Sequence, residues 1–341
     1  MRVVILKNKA RRLGGLERYT QRLIEAFSRN HEVTLLTTEA TAHYPCKQVA
    51  FRQGLYPKWM RISHFDKCAQ QWIESYKPDI IFGMEHNRFQ THYRAGNGVH
   101  AAYLDRRIQR EGLWKKASFK INTLHRTLCA IEKSAVEHPR LQRLFVNSQM
   151  VSEELLRYYR VDPQKIVVVH NGVDWEERIA TPQNARYHFL FVGHDFKRKG
   201  LEALLYGLRD LRDYELTIVG HDRRQRLYEA LAKRLSISAR FVGPQSNMQP
   251  FYEAADCLVL PTLYDPFASV TLEALAHGLF VVTSEHNGAK EILTPASGII
   301  ANQLDLALFQ AQHYQRDPLA IRNSVQHLTF ENQLTKIIDQ C

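Results

Sequence analysis

Apolar residues recur along this chain in two alternating rhythms. Short unbroken runs (MRVVIL at the start, then HEVTLLTT, KPDIIFGM, LQRLFVNS and KIVVVHNGVD) have the length and β-branched content of strands buried on both faces. Between them, LERYTQRLIEAFSRN and SEELLRYY space their apolar residues three and four apart, which predicts amphipathic helices. The rhythm breaks in the polar stretch WEERIATPQNARY and then restarts: strand HFLFVGHD, helix LEALLYGLRDL, strand YELTIVGH, helix RQRLYEALAKRL, strand ISARFVGP, helix QPFYEAAD, strand CLVLPT. Alternation of this kind predicts parallel, doubly wound sheets that bind ligands at the carboxyl ends of their strands. Two series in succession make an α/β chain of two lobes. We divide it into a first lobe over 1–174, a linker over 175–187, a second lobe over 188–325 and a C-terminal helical segment over 326–341.

Composition adds exclusions. With 341 residues, 45% apolar and 24% charged, the chain is long enough for two ordinary globular cores. No apolar run reaches the roughly 18 residues of a membrane span, and the opening MRVVILKN is too short for a signal segment. Cys46, Cys68, Cys129, Cys257 and Cys341 are scattered without a C-x-x-C pair, so they read as reduced thiols with no disulfide framework or metal site. A cytoplasmic location is expected. Charge is unevenly placed: residues 1–170 carry a net +14 and the remainder a net −3. Much of the excess sits in RRIQREGLWKKASFK, Arg106 to Lys120, with Leu113, Trp114 and Phe119 interleaved. Arg106, Arg107, Trp114, Lys115 and Lys116 are therefore candidates for a surface that meets anionic lipid or an anionic acceptor. The competing reading is a solvated helix face whose aromatics belong to the core. No recognised nucleic-acid motif is present, and nucleic acid is not expected as a partner.

The densest chemistry lies in YDPFASVTLEALAHGLFVVTSEHNGAKEIL, Tyr264 to Leu293. Asp265 precedes a small-residue turn that opens a helix, and Glu273 lies further along it. A helix start suits an anion, and acids beside it suit hydroxyls; together they describe a nucleotide sugar. Two further elements fit phosphate. RRLGGLERY places Gly14 and Gly15 after the first strand and at the first helix start, where backbone can approach a ligand closely; it is not the G-x-G-x-x-G of dinucleotide binding. FVGHDFKRKG places Arg198 and Lys199 before a helix expected to begin near Gly200, so that two fixed cations can neutralise a diphosphate.

The segment from Asp265 to Ala274 resembles the signature of the family 4 retaining glycosyltransferases, acid-x-F-G-x-x-x-x-E-A. Its Asp-Pro-Phe-Ala variant, followed by H-N-G-A-x-E, is similar to the lipopolysaccharide core glucosyltransferases. Asp265 stands where Glu is commoner and Ala268 where Gly is commoner. The resemblance implies a GT-B fold: two Rossmann-like lobes facing a cleft, the first binding the acceptor and the second the donor. The C-terminal helix, NQLTKIIDQC, then crosses back onto the first lobe. It further implies retention of anomeric configuration, with a UDP-sugar such as UDP-glucose as donor and a membrane-associated glycolipid as acceptor. The enzyme would then be peripheral on the inner face of the cytoplasmic membrane.

By the same resemblance Glu273 holds the ribose hydroxyls, Asp265 a hydroxyl of the transferred sugar, and Arg198 and Lys199 the diphosphate, with backbone N–H groups around Ala268, Ser269 and Val270. Gly243, ending ISARFVG, marks the base pocket. The chain has no Asp-x-Asp motif, so metal-independent chemistry without a cofactor is expected. His100, after a Gly-Asn-Gly turn, corresponds to a histidine that faces the donor sugar; a structural histidine is the alternative. Asp105 and Arg94 are candidates for acceptor contact, and residues 40–90 carry no functional assignment. Two other classes stay open: a nucleotide-sugar epimerase of the same fold, which would need acid–base groups for chemistry on the sugar ring, and a catalytically dead membrane-binding relative.

Overall fold

The computed structural model describes residues 1–9, 15–41, 44–85, 87–175 and 186–341. It forms two compact units, one of Met1–His170 with Phe330–Cys341, the other of Asn171–Thr329.

In the first unit seven strands form an all-parallel sheet: β1 (Arg2–Leu6), β2 (Glu32–Thr37), β3 (Lys47–Ala50), β4 (Ile80–Gly83), β5 (His92–Arg94), β6 (Arg143–Val146) and β7 (Ile166–Val168). Their order is β3-β2-β1-β4-β5-β6-β7, so the chain reverses direction across the sheet between β1 and β4. The runs are continuous because both faces are covered: Val3, Val4, Ile5 and Leu6 are all buried. The helix Phe330–Ile338 belongs to this unit, where Leu334 and Ile337 join the core of Leu23, Ile24 and Phe27 and Phe330 packs its ring 6.3 Å from that of Tyr19.

The second unit has six parallel strands: β8 (Tyr187–Val192), β9 (Tyr214–Val219), β10 (Ala239–Gly243), β11 (Cys257–Leu260), β12 (Phe280–Thr283) and β13 (Gly298–Ile300). Their order is β10-β9-β8-β11-β12-β13. β8 pairs with β9 on one side and β11 on the other, which puts the switch point at the carboxyl ends of β8 and β11. The segment after His170, assigned above to the first lobe, belongs here. Val173 N–H donates to the Leu328 carbonyl at 3.0 Å, and Asn171 Nδ2 reaches Ser269 Oγ at 3.1 Å. Most of the expected linker, residues 176–185, lies outside the described residues.

Candidate active site

Both loops that leave the second unit's switch point carry charge, and they meet. After β8, Asp195 adopts a left-handed φ of 58° and its carboxylate accepts from Arg198 N–H at 3.3 Å. This starts a helical turn, Phe196–Lys199, which Gly200 ends at φ 86° before the helix Leu201–Gly207. Arg198 and Lys199 therefore stand just before a helix that begins beside Gly200, as expected, but in a short helical turn of their own and not in an open loop. After β11 the chain runs through Pro261 to Asp265. Lys199 Nζ donates to Asp265 Oδ2 at 2.7 Å; Arg198 Nη1 donates to the same oxygen at 3.3 Å and to the Tyr264 carbonyl at 3.1 Å. All but a few per cent of Asp265 and Lys199 is buried. Burial works against the Asp265 charge, but the Lys199 and Arg198 cations outweigh it and hold the carboxyl below its ordinary range. The site thus concentrates two cations on Asp265, while Arg198 Nε also lies 3.5 Å from the more exposed Asp195 carboxylate.

Beside this cluster the helix Ser269–Ala276 begins at Ala268 without a side-chain cap on its first N–H groups. Asn287, fully buried, fixes that start. Its Oδ1 accepts from Ala268 N–H at 3.2 Å and Ala289 N–H at 3.1 Å, while Nδ2 donates to Thr271 Oγ1 at 3.1 Å and Thr283 Oγ1 at 3.0 Å. Asp265 is held in register with the same segment, donating its N–H to His286 O at 2.9 Å and accepting from Gly288 N–H at 2.8 Å. One turn into the helix, Glu273 Oε2 accepts from the Tyr252 hydroxyl at 2.6 Å. Asp265, Arg198, Lys199, Ala268, Ser269, Val270 and Glu273 are thus carried by two neighbouring loops and the helix start between them. An uncapped helix start beside two cations suits an anion, and the carboxylates suit hydroxyls.

Backbone crowding explains the glycines. A Cβ on Gly200 would lie 2.0 Å from the Pro261 carbonyl oxygen, and one on Gly220 (φ 132°) 1.9 Å from that of Gly193. Gly243, at φ 71°, ends β10 with nothing close to its absent side chain, and its carbonyl accepts from Gly220 N–H at 2.9 Å. Gly220, Tyr252 and the bonding of Asn171 and Asn287 escape the motif reading. A signal for the glycines was there: FVG, IVG and FVG end three successive strands.

The first unit keeps its expected residues further apart. Gly14 lies outside the described residues, whereas Gly15 opens the helix Gly15–Ser28. His100 starts the helix His100–Glu111; its N–H donates to both carboxylate oxygens of Glu132 at 3.0 and 3.1 Å, and its Nε2 lies in hydrogen-bonding contact with His125 Nδ1 at 3.0 Å. Glu132 is buried, which raises its pKa, and the Tyr159 hydroxyl also donates to it. Neither His125 nor Glu132 carries a recognisable motif.

Two cations of the expected basic surface are paired within the fold. Arg106 pairs with Glu154 at 3.4 Å; Arg107 pairs with Glu111 at 3.0 Å and lies 4.8 Å over the Phe119 ring, itself buried. Phe119 is therefore core rather than membrane-facing. The side chains of Trp114 and Lys115 lie outside the described residues, and Lys116 is exposed. Asp105 accepts from the Tyr158 hydroxyl at 2.5 Å, and Arg94 is buried 3.8 Å over the Tyr19 ring; both are tied into the unit itself. No helix among the described residues is long and apolar enough to cross a membrane.

Two family models match in series: "Glycosyltransferase Family 4" over residues 13–177 and "Glycosyl transferases group 1" over 186–313. An uncharacterized glycosyltransferase of Methanocaldococcus jannaschii is 29% identical over 43% of this chain and 43% of its own length. Among the first curated relatives the chain matches less than half of each protein's length. The lipopolysaccharide glucosyltransferase WaaG of Escherichia coli is 22% identical over 83% of this chain and 80% of its own. The crystal structure of WaaG, a glycosyltransferase involved in lipopolysaccharide biosynthesis, superposes with a TM-score of 0.82 at 19% identity, covering 99% of this chain and 98% of that one. The Anabaena protein Alr3699/HepE, solved with UDP-glucose, matches at a TM-score of 0.73 and 13% identity over 99% of this chain and 98% of that one. These likenesses show the two-domain GT-B fold. With family models matching in turn the segment that holds most of the first unit and the one that holds the charged switch point, the chain belongs to the family 4 glycosyltransferases.

Proposed function

We propose that this protein is a retaining, metal-independent hexosyltransferase that moves a sugar from a UDP-sugar to a membrane-associated glycan or glycolipid, of the lipopolysaccharide-core type. One observation carries the reading: the buried Lys199–Asp265–Arg198 cluster beside the uncapped start of the helix Ser269–Ala276. Negative charge accumulates on the diphosphate as the glycosidic bond breaks, and donors fixed at that point lower the barrier without reorganising. Arg198, Lys199 and the first N–H groups of the helix fill this role, which a divalent cation fills elsewhere.

Asp265 aligns both cations and takes a hydroxyl of the transferred sugar; Glu273, steadied by Tyr252, takes the ribose hydroxyls; the Gly243 strand end receives the base. The bond from the anomeric carbon to the diphosphate oxygen breaks as the acceptor oxygen attacks from the same face. The departing diphosphate oxygen takes the acceptor's proton. Asp265 and Glu273 bind hydroxyls in this scheme and do not form a glycosidase pair. The UDP and UDP-glucose complexes of HepE and the name of WaaG support the choice of donor and acceptor class. With such an acceptor the enzyme works peripherally on the inner face of the cytoplasmic membrane.

The test is UDP release from a panel of UDP-sugars, with and without EDTA, paired with a UDP binding titration. Wild type should bind UDP and release it from one sugar regardless of chelator, and Glu273→Ala and Lys199→Ala should lose both. Release that requires added metal overturns the assignment of Arg198 and Lys199, and failure to bind UDP overturns the donor.

A further inference from the structure

Of the residues expected to meet a membrane, Arg106 and Arg107 are engaged in ion pairs and Phe119 in the core, while Lys116 is exposed; another part of the first unit presents apolar side chains. Between β3 and the helix Lys58–Tyr76, four large apolar side chains stand in solvent within six residues. Leu55 is 102% exposed, Tyr56 41%, Trp59 37% and Met60 36%. Burying such side chains is ordinarily favourable, so a cluster of them left outside calls for an apolar or interfacial partner.

The segment is held in a defined shape. Arg61 Nε donates to the Tyr56 carbonyl at 2.6 Å, Tyr56 N–H donates to the Gly54 carbonyl at 2.8 Å, and the Tyr56 ring lies against Gly54 and 5.8 Å from the His64 ring. The Tyr56 ring is therefore presented in a fixed position.

Charge identifies the partner. Between Glu39 and Asp66 the chain carries Lys47, Arg52, Lys58 and Arg61 and no acid. Arg52 and Lys67, before and after the apolar group along the chain, are exposed, while Asp66 is buried against Arg88 at 2.7 Å. Apolar and aromatic tips rimmed by cations match the boundary between acyl chains and anionic headgroups, where Trp and Tyr sit at headgroup depth. The position suits the acceptor as well. The segment follows the carboxyl end of β3, the same edge of the sheet from which the chain enters the helices at Gly15 and His100.

We propose that Leu55, Tyr56, Trp59 and Met60, rimmed by Arg52 and Lys67, form the surface by which this protein docks on an anionic lipid bilayer. The inference rests on the membrane-associated acceptor proposed above but not on the donor site, so the two can fail separately. The experiment is co-sedimentation with phosphatidylglycerol/phosphatidylcholine vesicles and with phosphatidylcholine vesicles alone, with UDP binding measured on the same preparations. Wild type should bind the anionic vesicles more tightly, and added salt should weaken binding. Leu55→Asp and Leu55→Ser should each weaken binding on the order of tenfold, with Asp the worse, because a fully exposed leucine contributes to lipid and not to the fold. UDP binding should be unchanged. Wild type that ignores anionic vesicles, or Leu55 variants that bind like wild type while Lys116→Glu does not, would overturn the proposal; loss of UDP binding alone would instead count against the donor site.

Discussion

Lys199→Met removes one cation from a buried pair while keeping most of the side chain's volume. In the wild type, Lys199 Nζ is 2.7 Å from Asp265 Oδ2, and both groups are almost wholly removed from water. Removing one member of such a pair leaves a buried charge whose partner has gone, typically costing about 3–5 kcal/mol. Arg198 still reaches the same oxygen at 3.3 Å and offsets part of this, so a loss of about 2–3 kcal/mol is expected. For a unit of this size that corresponds to a fall in Tm of about 4–12 °C.

The dependence on pH should change sign. Wild-type Asp265 has a folded pKa below its unfolded value, so its contribution is present above the unfolded pKa and is lost as pH falls through the folded one. With the nearer cation gone, burial dominates and the folded pKa rises above the unfolded value. The variant should then lose stability as pH rises through the ordinary carboxylate range. The double variant Lys199→Met/Asp265→Asn removes the stranded charge and should recover about half or more of the loss, because the two sites share one interaction. Calorimetric or fluorescence-detected melting at mildly acidic and neutral pH reads all three proteins. A Lys199→Met protein as stable as wild type at neutral pH, or a double variant less stable than the single, would refute the reading of this pair as a coupled buried charge.

Three other outcomes follow from particular contacts. Glu273→Gln should lower kcat/KM for the UDP-sugar by roughly ten- to hundredfold, the worth of about 1.5–3 kcal/mol for hydrogen bonds to a charged group; Tyr252→Phe, which removes the 2.6 Å bond to Glu273 and leaves the carboxylate in place, should cost less than Glu273→Gln in the same steady-state assay. Gly200→Ala should destabilise the protein by about 2–4 kcal/mol in urea titration, since it combines a left-handed φ of 86° with a Cβ 2.0 Å from the Pro261 oxygen. Burial pushes the His92 pKa down to about 4 from 6.5, so the unfolded chain binds the extra proton and stability should fall as pH drops from 6.5 toward 4. His92→Gln should flatten that slope in melting curves across the range.

Much of the architecture is legible in the chain because buried parallel strands leave a strong mark. VVIL, IIF and FVVT are unbroken apolar runs only because helices cover both faces of each sheet, and the alternation with amphipathic segments follows from the same layering. Asp265, Glu273, Arg198 and Lys199 are legible for a related reason, since a ligand at the mouth of adjacent strands needs its charges within a few residues of the strand ends. Boundaries were less well marked. The Asn171–Asp174 segment reads as the end of the first series, yet its hydrogen bonds to Leu328 and Ser269 place it in the second unit.

The basic stretch at Arg106–Lys120 shows where local reading stops. A run of cations interleaved with aromatics looks like a surface, but Glu154 and Glu111 neutralise Arg106 and Arg107, and Phe119 turns inward. Glu154 lies 48 residues from Arg106, so no local pattern announces that pair. The acid-free segment with Leu55 and Trp59 has a weaker local pattern, yet its apolar side chains are exposed.

The sequence by itself determined the two doubly wound sheets, the end of each strand at which chemistry gathers, and the residue types there, because strand burial, helix amphipathicity and turn glycines act over a few neighbouring residues. Only the tertiary structure decided that Asp265 lies against both Lys199 and Arg198, that Tyr252 steadies Glu273, that Asn287 fixes the helix start, and which cations remain in solvent. Each of these depends on side chains from separate loops meeting after the strands have ordered, and the distance between two loop ends is set by the order of strands in the sheet and not by their separation along the chain.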